Sequence, residues 1–190
     1  MQLSQIILYV EDNESDVLFM HQAMKKIGLS KALQVVSDGD EAIAYLDGKG
    51  KYADRRKYPF PSLIFLDLTL PVVTGFGVLQ WIRKQHSMLA LPVVILSGSR
   101  MEFDLNHAYK LGANAYLIKP SNGEDLDNVL GTTAKYWLSL NQQLQAPQSD
   151  ERGGSNHDEP SRRQVIPLAK SLLVLAQKSL EVTGFQPSGI

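Results

Sequence analysis

Four short apolar runs of the sequence each end at polar residues that can bind a metal ion or a phosphate group. Glu11 and Asp12 follow the first run, Asp67 the second, Ser97 the third and Lys119 the fourth. Carboxylate oxygens are the ligands that Mg²⁺ prefers, whereas a hydroxyl and an ammonium group suit phosphoryl oxygens. A carboxylate can also act as a nucleophile and form an acyl phosphate. These residue types predict a site for a metal ion and a phosphoryl group.

The apolar runs themselves predict buried strands of a parallel sheet, because they are short and partly β-branched. Strands are predicted at 5–10, 33–37, 62–67, 91–97 and 114–118, alternating with helices at about 14–28, 39–47, 75–86, 101–111 and 123–143. This alternation predicts an α/β fold of the flavodoxin-like type, a doubly wound five-stranded parallel sheet with helices on both faces. The strand order 2-1-3-4-5 fits best, because strand 2 is the least apolar and suits an edge.

That strand order brings the polar residues together, since ligands bind at the carboxyl ends of strands in open α/β sheets. Glu11 and Asp12 are expected beside Asp67, with Ser97 on the other side and Lys119 within reach. Each residue also has an ordinary explanation. Acids at a helix start favour its dipole, a serine at a strand end usually caps a turn, and a lysine before proline is usually solvated.

Residues 4–143 resemble the receiver domain of two-component response regulators. The segments that carry the resemblance are Val10-Glu11-Asp12-Asn13, Leu66-Asp67-Leu68-Thr69-Leu70-Pro71 with Gly75, Leu96-Ser97-Gly98, and Leu111 to Pro120. The separations of 30 residues from Asp67 to Ser97 and 22 from Ser97 to Lys119 are those of the family. The long loop before strand 3 and Tyr136-Trp137-Leu138 are similar to stand-alone regulators paired with bacterial phytochromes.

The resemblance implies that Asp67 accepts a phosphoryl group from the phosphohistidine of a sensor kinase, with a bacterial phytochrome as one candidate. Asp12, Asp67 and the Thr69 carbonyl are expected to hold Mg²⁺, which Glu11 would reach through water. The protein would then be a signalling switch rather than an enzyme, although it would catalyse its own phosphorylation and dephosphorylation.

The resemblance also implies how the phosphoryl group is bound and detected. Ser97 and Lys119 would each bind one phosphoryl oxygen, and Tyr116 would be the aromatic switch whose rotamer follows Ser97. Serine stands at position 97 where threonine is commoner in the family. The output is expected to be a homodimer formed through helix 4, strand 5 and helix 5, or a contact with another protein.

Two other functions remain open at this point. A haloacid-dehalogenase-type phosphatase also uses a strand-end aspartate, Mg²⁺ and a lysine, but it needs a second aspartate two positions later, where this chain has Thr69. A receiver-like docking module that is not phosphorylated would share the fold, although the complete set of site residues argues against it.

Composition limits the remaining classes of function. The 190 residues include 19 basic and 20 acidic side chains, a balance that argues against bulk nucleic-acid binding. The chain has no cysteine, which excludes disulfides and thiolate metal sites. No apolar stretch reaches the roughly 18 residues that span a bilayer, and the start does not resemble a secretion signal. We therefore expect a cytoplasmic protein that does not contact the membrane.

The C-terminal quarter of the chain differs from the rest. We predict a receiver domain over 1–145, a flexible linker over 146–164 and an amphipathic helix with a tail over 165–190. The helix would dock on the receiver, pair with its copy in a dimer or bind a target. Alternatively, it is a marginally folded tail without a function.

Overall fold

The computed structural model of the chain describes residues 5–120 and 123–141. The predicted linker, the C-terminal amphipathic helix and the domain boundaries lie outside these residues. The strands are β1 Ile7–Val10, β2 Leu33–Val36, β3 Leu63–Leu66, β4 Val93–Ser97 and β5 Ala115–Ile118. The helices are α1 Glu14–Lys26, α2 Gly39–Asp47, α3 Gly75–Lys84, α4 Glu102–Lys110 and α5 Gly123–Lys135, the last continuing as a π-helical turn over Tyr136–Leu140.

The five strands form one parallel sheet in the order β2-β1-β3-β4-β5, which confirms the predicted fold class and topology. All four residues of β1 and β3 are buried, whereas two of the four in β2 are only half-buried. β2 pairs only with β1 and therefore lies at an edge of the sheet. An edge strand is less completely buried and can keep polar residues.

Side chains of each strand alternate between two hydrophobic cores, one on each face of the sheet. Ile7 and Tyr9 of β1 face the core formed with α1 and α5. Leu8 and Val10 face the opposite core, to which α2, α3 and α4 contribute. The helices thus cover both faces, as the alternating sequence pattern predicted. None of the helices in the described part of the chain is long and apolar enough to cross a membrane.

The segment between α2 and β3 is more ordered than its polar sequence indicates. Its Tyr52 and Tyr58 rings pack on each other with centroids 4.9 Å apart, and Tyr52 packs on Tyr45 of α2 at 5.0 Å. The Arg55 guanidinium donates to the carbonyl oxygens of Tyr45 and Leu46, both at 2.7 Å, at the end of α2. Aromatic burial and this cap on the helix end fix a segment that the sequence indicated to be a polar loop.

Candidate functional site

Strand register places Glu11 and Asp67 side by side. Val10 of β1 pairs with Leu66 of β3, so the next residues, Glu11 and Asp67, leave the sheet at the same edge. The Asp67 amide donates to the Val10 carbonyl at 3.1 Å, and the Glu11 amide donates to the Val36 carbonyl at 3.0 Å. Backbone hydrogen bonds of the sheet therefore fix both positions.

Three carboxylates form a cluster at this edge. Glu11, Asp12 and Asp67 each offer one oxygen, and these oxygens all lie within 4.8 Å of one another. Glu11 and Asp67 are only 2% and 4% exposed, whereas Asp12 is open to solvent. Carboxylates held this close repel each other unless a cation is shared among them. A donor set made only of carboxylate oxygens suits a hard divalent cation.

The loop after β3 shapes the surroundings of Asp67. The Thr69 amide donates to Asp67 Oδ2 at 3.0 Å, and the predicted role of the Thr69 carbonyl stays a prediction. A Cβ on Gly75 would lie 2.0 Å from the Asp67 carbonyl oxygen, so only glycine allows α3 to begin this close to the strand end. Between them, Val72 is 79% exposed and has a positive φ of 63°, which is strained for a β-branched residue.

Lys119 lies across the carboxyl edge of the sheet. Its amide donates to the Ser97 carbonyl at 2.8 Å, and its side chain is only 14% exposed. Nζ lies 3.3 Å from Asp67 Oδ1, 2.6 Å from Glu11 Oε2 and 2.8 Å from Asp16 Oδ2. The predicted reach of Lys119 to Asp67 is therefore present, and the same ammonium group also contacts two further carboxylates.

Burial and charge act in opposite directions on the pKa values of the site. Burial raises the pKa of Asp67 and of Glu11, and the nearby Lys119 ammonium only partly opposes this. Burial alone would lower the pKa of Lys119, but its hydrogen bonds to Asp16 and Glu11 and the charge of Asp67 raise it. One ammonium group does not neutralise the surrounding carboxylates, so the site has room for the charge of a bound cation.

Ser97 and Tyr116 lie on the other side of Asp67. Ser97 is 1% exposed, and its hydroxyl oxygen accepts a hydrogen bond from the Ser99 amide at 3.2 Å. Tyr116 is half-buried, and its hydroxyl donates to the Ser99 carbonyl at 3.1 Å. Ser99 Oγ in turn donates to Asp104 of α4 at 2.5 Å. The loop after β4 thus connects the predicted hydroxyl, the predicted switch and α4.

Two residues of the site were missed by reasoning from sequence. Tyr9 was assigned to an apolar strand, yet its hydroxyl donates to Glu11 Oε2 at 2.8 Å. The spacing of two from Glu11 placed both on one face of β1, and a buried tyrosine hydroxyl needs a partner. Asp16 was not singled out from the sequence at all, and nothing in the local sequence connects it to Lys119.

The chain is similar to several proteins of known class. It is 36% identical over 139 residues to the probable methanogenesis regulatory protein FilR2 of Methanothrix harundinacea, covering 72% of this chain and 85% of the relative. The crystal structure of the phosphorylated cyanobacterial phytochrome response regulator RcpA matches with a TM-score of 0.69 and 35% identity, covering 73% of this chain and 97% of that chain. The Mn²⁺-bound form of response regulator Rcp1 matches with a TM-score of 0.66 and 33% identity, covering 74% and 99%; the Rcp1 sequence is from a Synechocystis strain.

The family match covers the fold and the site described above. Residues 7–130 match the response regulator receiver domain, a span that includes all five strands, the carboxylate cluster, Ser97 and Lys119. Receiver domains bind divalent metal ions, which agrees with the oxygen donors of this site. The chain belongs to the response regulator receiver domain family and is a two-component signalling protein.

Proposed function

We propose that the chain is a response regulator in which Asp67 accepts a phosphoryl group from a sensor histidine kinase. One observation carries this proposal. The Asp67 carboxylate is buried at the end of a central strand, within 4.8 Å of the other clustered carboxylate oxygens and 3.3 Å from the Lys119 ammonium. A carboxylate placed beside a cation-binding cluster and a fixed positive charge is suited to phosphoryl transfer, which depends on positioning and on neutralising charge.

The transfer itself exchanges one bond to phosphorus for another. An Asp67 carboxylate oxygen attacks the phosphorus of the phosphohistidine, and the new P–O bond forms as the N–P bond breaks. The imidazole of the kinase leaves as the neutral ring after taking a proton. Lys119 and Ser97 bind the phosphoryl oxygens in this proposal. The same groups would allow the chain to accept phosphate from small donors and to hydrolyse its own acyl phosphate.

The proposed metal ion is Mg²⁺. Asp12, Asp67 and the Thr69 carbonyl would hold it, with Glu11 bound through water. The ion would neutralise charge on the phosphoryl oxygens. In the described structure Glu11 instead contacts Lys119 at 2.6 Å, so phosphorylation would exchange this ion pair for new partners.

The proposed output is a change of protein contacts. The added charge of about −2 would draw Ser97 inward, and Tyr116 would fill the vacated space. Apolar side chains are exposed next to this switch: Met101 and Phe103 at α4 are 64% and 71% exposed, and Ile118 of β5 is 43% exposed. A homodimer through α4, β5 and α5 would cover them.

The kinase partner is proposed from the relatives. RcpA is a cyanobacterial phytochrome response regulator, and a second protein of similar structure is a bacteriophytochrome response regulator. A phytochrome-type histidine kinase is therefore the first candidate to test as phosphodonor. A location in the cytoplasm is part of the same proposal.

The test is phosphorylation of the purified chain by acetyl phosphate with Mg²⁺ and, separately, by a phytochrome-type kinase. We expect one acid-stable, base-labile phosphate on the wild type, detected as a mass increase, and none on Asp67→Asn. Asp40→Asn is the matched control, because Asp40 is an exposed carboxylate at the start of α2 and should leave labelling unchanged. Labelling that persists in Asp67→Asn would exclude Asp67 as the acceptor. A wild type without phosphate under all these conditions would favour the non-phosphorylated docking module.

A further inference from the structure

Asp16, in the first turn of α1, holds the ammonium group on which the proposed reaction depends. We propose that Asp16 is a positioning residue that keeps Lys119 directed at the Asp67 carboxylate, before and after a phosphoryl group arrives. This inference deepens the proposed function and rests on it.

The contacts of Lys119 support the role of Asp16. An ammonium group has three N–H donors, and three carboxylate oxygens surround it, with Glu11 at 2.6 Å, Asp16 at 2.8 Å and Asp67 at 3.3 Å. Asp67 is thus the longest of the three contacts, and the two shorter ones decide where the ammonium lies. With a side chain that is only 14% exposed, Lys119 has little water to replace a lost partner.

Asp16 is the one of these three carboxylates that does not belong to the metal-binding cluster. Within the described residues the cluster contains Glu11, Asp12 and Asp67, and Asp16 is not a member. Glu11 also accepts hydrogen bonds from other groups: Oε2 accepts one from the Tyr9 hydroxyl at 2.8 Å, and Oε1 accepts one from the Asn13 amide at 3.2 Å. Asp16 can therefore keep its bond to Lys119 when the cluster binds a cation.

The backbone of Asp16 is fixed by the cap of α1. The Asn13 side-chain oxygen accepts hydrogen bonds from the Ser15 amide at 2.9 Å and the Asp16 amide at 3.1 Å. Such an N-cap orders the first turn of a helix, so the Asp16 carboxylate is presented from a rigid element. A rigid partner orients a flexible lysine side chain better than a partner on a loop.

The experiment compares Asp16→Ala with Asp16→Asn and the wild type. Alanine removes the hydrogen bond and the charge, whereas asparagine keeps an oxygen that can accept from Nζ. We expect the rate constant for phosphorylation at saturating acetyl phosphate to fall about tenfold in Asp16→Ala, the effect of one bond to a charged group. Asp16→Asn should stay within about threefold of the wild type, and the Mg²⁺ dissociation constant should change by less than about threefold in both.

A second measurement does not require phosphorylation. Acetic anhydride labels accessible neutral amines, and mass spectrometry gives the rate at Lys119 relative to the exposed Lys31 of the same molecule. Asp16→Ala should label faster at Lys119 than the wild type does, and Asp16→Asn should lie between the two, because it loses the charge but keeps a hydrogen-bond acceptor. If the wild type takes up no phosphate yet this labelling pattern is found, the proposed function fails while the positioning by Asp16 stands.

Three results would overturn the positioning role. One is unchanged labelling and unchanged phosphorylation in Asp16→Ala. Another is a loss of Mg²⁺ affinity as large as the loss of rate, since Asp16 would then act on the cation. The third is an asparagine variant that is as slow as alanine, because charge alone would then explain the effect.

Discussion

The Tyr9 hydroxyl bond to Glu11 provides a sharp test of how the carboxylate cluster is stabilised without metal. Tyr9 is fully buried, its hydroxyl lies 2.8 Å from Glu11 Oε2, and Glu11 itself is 2% exposed. Tyr9→Phe removes one oxygen and leaves the ring in its core. The perturbation therefore isolates a single hydrogen bond to a buried carboxylate.

The expected cost follows from the partners that remain. Glu11 Oε2 keeps the Lys119 ammonium at 2.6 Å, so the substitution does not orphan a buried charge. The loss is then that of one hydrogen bond to an ionised group, about 2 kcal/mol in the free energy of unfolding, or roughly 6 °C in melting temperature. Burial and the Glu11 charge both raise the pKa of Tyr9, so its hydroxyl keeps the proton that it donates.

Urea denaturation in the presence of a chelator measures this cost, with Tyr45→Phe as the matched control. Tyr45 is equally buried, but its hydroxyl donates to the neutral Pro59 carbonyl at 2.8 Å, so we expect a loss of about 1 kcal/mol there. In a Glu11→Gln background the cost of Tyr9→Phe should fall by about 1 kcal/mol, the coupling between the two groups. A cost no larger than that of Tyr45→Phe, or no coupling to Glu11, would refute the reasoning.

Two further predictions concern the backbone and a surface ion pair. Val72→Asn should raise the free energy of unfolding by about 1 kcal/mol in urea denaturation, because asparagine tolerates the positive φ of 63°. Replacing the valine costs little packing, since its side chain is exposed. An unchanged or lower stability would contradict strain at this position. Burial alone would raise the pKa of Glu41, but hydrogen bonds from the Lys51 ammonium and from neighbouring donors lower it from 4.5 to about 2. A carboxylate whose pKa is lowered by folding stabilises the fold at pH values above its unfolded-state pKa. Glu41→Gln should therefore cost about 1 kcal/mol in the free energy of unfolding at pH 7, and this cost should shrink as the pH falls from about 4.5 towards 2. Denaturation measured as a function of pH checks this, and a cost that does not vary with pH would contradict the role of Glu41.

The sheet and its polar strand ends were predictable because they depend on short stretches of sequence. Runs of apolar residues stop at Asp67, Ser97 and Lys119, and strand order alone then makes these ends neighbours. Asp16 was not predictable in the same way, because its bond to Lys119 joins α1 to the end of β5 across 103 residues of sequence. Tyr9 was missed for another reason. It lies within an otherwise apolar strand, and such a strand does not indicate that the tyrosine hydroxyl has a polar partner.

The segment after α2 shows a third kind of limit. Its lysines and arginines indicate a solvated loop, but Tyr52 is only 5% exposed and Arg55 is engaged by carbonyl groups at the end of α2. Side chains that bury one end and expose the other do not produce a clear pattern in sequence. Their arrangement depends on which helix end lies within reach.

Lys119 contacts residues from four elements of the fold. Its backbone is bonded to Ser97 at the end of β4, and its side chain reaches Asp67 after β3, Glu11 after β1 and Asp16 of α1. A change of charge at Asp67 therefore acts on one residue that is attached to both sides of the sheet. Helix α1 is bonded to the Lys119 side chain, and the end of β4, from which the loop leads to α4, is bonded to the Lys119 backbone amide. One residue therefore joins the two surfaces of the domain.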